Sequence, residues 1–152
     1  MSRRKGRILA FQALYTYDLV KMPLDELLTL DWDKDLPEAV ASVESSQEES
    51  VNENKEDSYD FARLLISGTI NHIEEIDSRI KEKLSAKWTM DRLNKVSLAI
   101  LRISVFTLLF QKDVSPAIVI DEAISISKEY GVDDSYKFIN AILDKISKET
   151  AS

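Results

Sequence analysis

An all-α bundle of about seven helices is the fold class this sequence predicts, and three observations carry the reading. Apolar residues make up 44% of the 152 residues, an ordinary share for a folded chain. They recur at helical spacings of three and four, and strand-like alternation is scarce. Only three Gly and three Pro interrupt them. A chain of this length supports one domain with its own core, or two small subdomains sharing one.

The first element runs from Arg4 to about Val20. Ile8, Phe11, Tyr15 and Leu19 fall on one face with Leu14 beside them, while Leu9, Ala13, Tyr17 and Val20 form a second apolar strip. A helix with two apolar sides is either sandwiched in a core or buried on one side and open to a partner on the other. Pro23 then opens a short helix over 24–32. Residues 33–57 are rich in Glu, Ser, Asn and Asp and show no helical stripe, so they read as an acidic loop or linker insert within a single domain of residues 1–152. That insert is either a tolerated surface segment or an acidic interaction segment.

Ser58 is placed to cap a long helix to about Leu84, with the stripe Ala62, Leu65, Ile66, Thr69, Ile73, Ile76 and Ile80. Gly68 inside it costs about 1 kcal/mol against Ala, which points to a close helix contact. Residues 85–94, with Trp88 and Met90, read as a short helix or turn. From Val96 to Phe110, 11 of 15 residues are apolar, and a helix apolar all round belongs at the centre of the fold. Ser115-Pro116 is a strong start signal, as N-cap and first helical residue, for a helix ending at Tyr130-Gly131. Asp133 or Asp134 caps the last helix, whose stripe is Phe138, Ile142, Leu143 and Ile146.

Composition excludes several function classes. There is no cysteine, hence no disulfide or thiolate metal site, and the one histidine, His72, cannot build an imidazole cage. The basic start is not followed by an uninterrupted apolar stretch, so no signal peptide is expected. The 96–110 run is too short to span a bilayer and carries Arg102, so a cytoplasmic protein is expected. No Gly-rich phosphate loop follows a strand, and GxSxG, HExxH and CxxC are missing. Glu74, Glu75 and Asp77 read as the wet face of a helix, and His72 as a surface or boundary residue. No catalytic residue, metal site or cofactor is expected.

Net charge is −7, which argues at first against a nucleic-acid partner, but residues 31–60 hold 11 acidic and 2 basic residues. The rest of the chain has 18 basic against 16 acidic residues. Two regions then stand out. Arg3, Arg4, Lys5 and Arg7 crowd the start of a helix, where the backbone dipole disfavours cations, with Gln12 further along. They fit a phosphate-gripping arm, or equally a solvated, frayed terminus. The second region, Gly131 to Asn140, packs a helix stop, a helix start, a ring, a cation and an amide into ten residues. There Asp134 could accept from a base edge, Ser135 sits where free backbone N–H groups lie, Tyr136 could stack on a base and Lys137 could reach phosphate. The alternative is a capped loop with Phe138 in the core.

The N-terminal run Arg3-Arg4-Lys5-Gly6-Arg7-Ile8-Leu9-Ala10-Phe11-Gln12-Ala13-Leu14-Tyr15 and a series of C-terminal segments resemble the NusB family of transcription antitermination factors. Those segments are Ala99-Ile100-Leu101-Arg102, Asp113-Val114-Ser115-Pro116, Ile120-Asp121-Glu122-Ala123-Ile124, Lys128-Glu129-Tyr130-Gly131 and Asp134-Ser135-Tyr136-Lys137-Phe138-Ile139-Asn140. The resemblance implies two small helical subdomains and a non-enzymatic RNA-binding adaptor. Its implied partners are a single-stranded boxA-type RNA, the small-subunit ribosomal protein NusE and the RNA polymerase antitermination complex on ribosomal RNA operons. Carried onto this sequence, Arg3, Arg4, Arg7 and the Asp134–Lys137 segment become RNA-contact candidates, and Tyr15, with Tyr17, a contact for NusE. Ser97 departs from the family's usual Glu, and Ala141 from its usual Gly, adding a methyl where helices can pack closely. The rival reading is a helical protein–protein scaffold or homodimer in which the basic arm is only a solubilising tail.

Overall fold

The structure, a computed structural model, describes residues 3–30, 52–84, 94–131 and 135–150. Seven helices account for nearly all of them: α1 (Arg3–Val20), α2 (Leu24–Leu27), α3 (Asn52–Asn71), α4 (Ile73–Lys83), α5 (Lys95–Phe110), α6 (Pro116–Tyr130) and α7 (Ser135–Thr150). The all-α expectation holds.

α5 is the axis of the bundle. Every residue from Ser97 to Leu108 is buried, because its apolar side chains leave no wet face to turn outward. The Asn94 carboxamide caps its start, accepting from the Val96 and Ser97 N–H groups at 2.9 and 3.1 Å. α1, α2 and α3 gather on one side of this axis, while α4, α6 and α7 pack on the other, giving two halves that share α5. Each large apolar side chain buried this way stabilises by roughly 1.5–3 kcal/mol relative to exposure.

The two apolar strips of α1 are explained by sandwiching. Residues from Ile8 to Leu14 are buried without a break between α3 and α5. Its last turn opens to solvent, with Leu19 50% and Val20 61% exposed. Lys21 ends the helix in a left-handed conformation, φ 56°, its N–H reaching the Tyr17 carbonyl at 2.9 Å.

Several element boundaries differ from expectation. The helix opened by Pro23 stops at Leu27 rather than reaching 32, and Leu30 follows in a left-handed conformation. α3 starts at Asn52, so Ser58 lies inside it and is not a cap, and the last six residues of the expected 33–57 insert are helix. Residues 33–51, the 85–93 segment and the expected Asp133 or Asp134 cap lie outside the described residues.

The long helix over 58–84 is in fact two. His72 breaks it with φ −119° and ψ 22°, and its N–H is shared between the Gly68 and Thr69 carbonyls, each at 3.2 Å. The His72 ring stacks on Phe110 with centroids 4.2 Å apart, so the break is held by the end of α5. It redirects the chain: α3 packs on α1 and α5, and α4 on α5 and α7, burying Ile76 and Ile80. Just before the break, Gly68 lies against the Phe106 ring, where an added Cβ would come within 2.3 Å. That is the close contact its presence predicts.

At the other end of the bundle Ser115 caps α6 as expected, its Oγ accepting from the Ile118 N–H at 3.3 Å. Gly131 ends α6, but in an extended conformation rather than a left-handed one. Its reason is space, since an added Cβ would lie 2.8 Å from both the Ser127 carbonyl oxygen and Ser135 Oγ. The Ser127 and Ser135 hydroxyls hydrogen-bond at 3.0 Å, pinning the start of α7 to the end of α6. Ala141, the departure expected to crowd a helix contact, is exposed, so its methyl crowds nothing. Ser97, the other departure, is buried.

Candidate nucleic-acid interface

The start of α1 reaches α6 through the Arg4 and Arg7 side chains. The Arg4 guanidinium reaches across as a fork, one nitrogen donating to Ser125 Oγ at 3.0 Å and the other to the Glu129 carboxylate. Ser125 and Glu129 are four residues apart, so they stand one above the other on a single α6 face. Arg4, Asp121, Ile124, Ser125, Lys128 and Glu129 together line a shallow open groove of about 540 Å³. From its far edge Lys128 extends its ammonium 4.7 Å from the centre of the Tyr136 ring, a cation–π contact that carries the surface onto α7. Lys137 is exposed beside it.

The two regions singled out in the sequence are therefore neighbours, joined by the last two turns of α6. α6 ends here and α7 begins here. Lys128 and Lys137 both lie near the start of α7.

The other candidates are placed differently. Gln12 is a correction: it is 1% exposed, on the buried stretch of α1, and faces the interior rather than a solvent-borne strand. Arg7 is largely covered, its side chain 12% exposed, with the guanidinium 5.5 Å from the Phe61 ring centre and 3.7 Å from Glu122. Its charge ties α1 to α3 and α6, whereas that of Arg4 is at the surface. The Arg3 side chain and Asp134 lie outside the described residues. Tyr15 and Tyr17 are half-buried on the later turns of α1, packed against the core beside exposed Leu19 and Val20. At 1.5 Å rise per residue they stand about 16–20 Å along the helix from Arg4.

A family model described as the NusB family matches residues 4–148. The chain belongs to the NusB family. The transcription antitermination protein NusB of Treponema denticola is 45% identical over 150 residues, covering 99% of this chain and 98% of that protein. Among solved structures, NusB of T. maritima is similar across 100% of this chain and 94% of its own, with 33% identity and a TM-score of 0.76. A crystal structure of the antitermination factors NusB and NusE in complex with dsRNA has a chain 30% identical, with a TM-score of 0.75, over 98% of this chain and 99% of that one.

Two carboxylates matter in ways the sequence left unread. Asp77, expected on a wet face, is only partly exposed, its side chain 24%. It accepts two hydrogen bonds from Arg102, at 2.9 Å from Nε and 2.8 Å from Nη2. Arg102 also lies 3.7 Å from Asp18 of α1, which Lys95 reaches at 3.0 Å. Burial alone would lower the Arg102 pKa, but the hydrogen bonds and charge of Asp77, with Asp18 and Tyr17, outweigh it and hold the value above the ordinary arginine range. The second group is Glu129, read only as part of a matching run, which occupies one tine of the Arg4 fork. Its spacing from Ser125 was visible, but which helix faces that pair was not.

Proposed function

We propose that this chain is an RNA-binding adaptor of transcription antitermination that pairs with the ribosomal protein NusE to recognise boxA-type single-stranded RNA in ribosomal RNA transcription. The observation that carries this reading is the likeness, over nearly the whole chain, to a chain in a complex of NusB and NusE with dsRNA. In support, the basic arm and the α6–α7 junction are adjacent, and α1 separates them from the Tyr15 and Tyr17 end.

On this reading Arg4, Lys137 and the start of α7 take phosphates, Tyr136 offers a stacking face, and Arg3 and Asp134 add a cation and a base-edge acceptor. Arg7 acts through position, holding the arm against α3 and α6. Tyr15 and Tyr17, with Leu19 and Val20 beside them, form the NusE-facing end. The chain works as one helical domain with an acidic insert ahead of α3. It is a non-enzymatic partner of RNA polymerase, and the setting of transcription makes it cytoplasmic. Among the described residues no helix is long and apolar enough to cross a membrane.

The test is a titration of a short boxA-like RNA, single-stranded and as a duplex, against the chain alone and against its pair with NusE. Tighter binding by the pair, with single strand preferred, is the expected result. Equal affinity with and without NusE would sink the adaptor scheme, and NusE binding without RNA binding would favour a protein scaffold. With two or three phosphates contacted, log K should fall with log salt at a slope of about −1.4 to −2.

A further inference from the structure

We propose that Glu129 is a built-in competitor for the RNA backbone: in the free protein it occupies Arg4 as a stand-in for phosphate, and binding proceeds by exchange. The proposal rests on the RNA-binding reading and concerns the regulation of that same site. Arg4 presents a planar fork, suited to two parallel hydrogen bonds to a carboxylate or a phosphate. In this structure both tines are taken, one by Ser125 Oγ at 3.0 Å and one by Glu129. An incoming phosphate must displace the carboxylate before it can use the guanidinium fully.

The geometry suits an exchange rather than a permanent bond. The side chains of Arg4 and Glu129 are 38% and 41% exposed, so water can solvate either partner when they separate. Exposed pairs of this kind are worth little, which keeps the exchange easy. The groove they border is open, about 540 Å³, and Lys128 on its edge remains a cation for the strand while Glu129 swings aside. Asp121 lines the same groove without entering the Arg4 fork, and so supplies an internal control. A competitor of this kind would weaken binding to any stray polyanion and leave the partner protein to tip the balance.

Glu129→Gln keeps the shape and removes the charge. A short single-stranded RNA is titrated against the full-length wild type, Glu129→Gln, Asp121→Asn, Arg4→Ala and the Arg4→Ala/Glu129→Gln double variant. Glu129→Gln should bind about threefold tighter, the size of an exposed ion pair. Asp121→Asn should gain less, and the double variant should bind no better than Arg4→Ala alone. Equal gains in Glu129→Gln and Asp121→Asn, surviving in the Arg4→Ala background, would mean that only long-range charge is at work and would overturn the proposal. So would no gain at all.

Inorganic triphosphate, which has backbone-like charge but no bases, separates this claim from the RNA reading. An Arg4-dependent gain with triphosphate, but no RNA binding by any variant, keeps the competitor and sinks the RNA role. RNA binding by the wild type that Glu129→Gln leaves unchanged does the reverse. Failure of both probes with every protein overturns both.

Discussion

Two arginine–carboxylate clusters sit at opposite ends of α1, and the same chemistry serves opposite ends in them. Arg102 is 8% exposed, gripped by Asp77 from α4 and faced by Asp18 from α1. Arg4 is at the surface, forked over Ser125 and Glu129 of α6. In the first cluster Arg102 is almost fully shielded from water, so the pair ties three helices together. In the second water can solvate either partner when they separate. Burial, not residue type, separates the enclosed arginine from the solvent-facing one.

The largest effect should come from breaking the buried side. Arg102→Met leaves Asp77 without its two hydrogen bonds, while Asp18 keeps Lys95, and should cost about 3 kcal/mol in denaturant unfolding. Adding Asp77→Leu should recover part of that loss by removing one stranded charge. Because the Arg102 pKa is raised by folding, its contribution is complete below the ordinary arginine value and is lost only above the raised one. Wild-type stability should therefore show no loss through Arg102 anywhere near neutral pH.

Next is the packing that places α3 and the His72 break. Gly68→Ala drives a methyl into the Phe106 ring and should cost about 1–3 kcal/mol, with partial recovery on trimming Phe106 to Leu. RNA affinity should be unchanged at temperatures where the variant stays folded. A large loss of affinity there would mean that the surface cluster depends on the α3 half.

On the exposed side Arg4→Ala should change stability by less than about 1 kcal/mol while making the salt slope of RNA binding shallower by about 0.7. A steep loss of stability would show that the two clusters are not different in kind. The smallest effect concerns Glu149 at the end of α7. It meets Lys83, and Arg79 at 3.4 Å, closing α7 on α4. The Lys83 hydrogen bond, opposed by slight burial and helped by the charges of Lys83 and Arg79, holds the Glu149 pKa below the ordinary carboxylate value. A lowered folded value means that the stabilisation is present above the ordinary pKa and fades as pH falls through the depressed one. Glu149→Gln should lower stability slightly at pH 7, with the deficit from wild type shrinking as pH falls below about 4, which flattens the acid limb of the profile.

Much of this fold was legible because periodicity, caps and breakers are local signals. The apolar run of α5 announced the axis, Ser115-Pro116 announced α6, and Gly68 announced a close approach. Where expectation failed, distant contacts had intervened. The 58–84 stripe looks continuous, yet His72 is pulled out of register against Phe110, far along the chain. Gln12 and Arg7 read as an arm because their charge and polarity are local properties, whereas their covering by α3, α5 and α6 is not. Asp77 looked wet until Arg102 arrived from α5.

By itself the sequence determined the helical class, the central helix, the helix start at Ser115 and, through its motifs, the NusB family, because each of these is written in short-range spacing and residue type. Only the tertiary structure decided which cations face solvent, which carboxylates hold them, and that the arm and the α6–α7 junction share one surface. Those outcomes depend on how helices distant in the chain lie across one another, and helix packing is set by the shapes of all the partners at once.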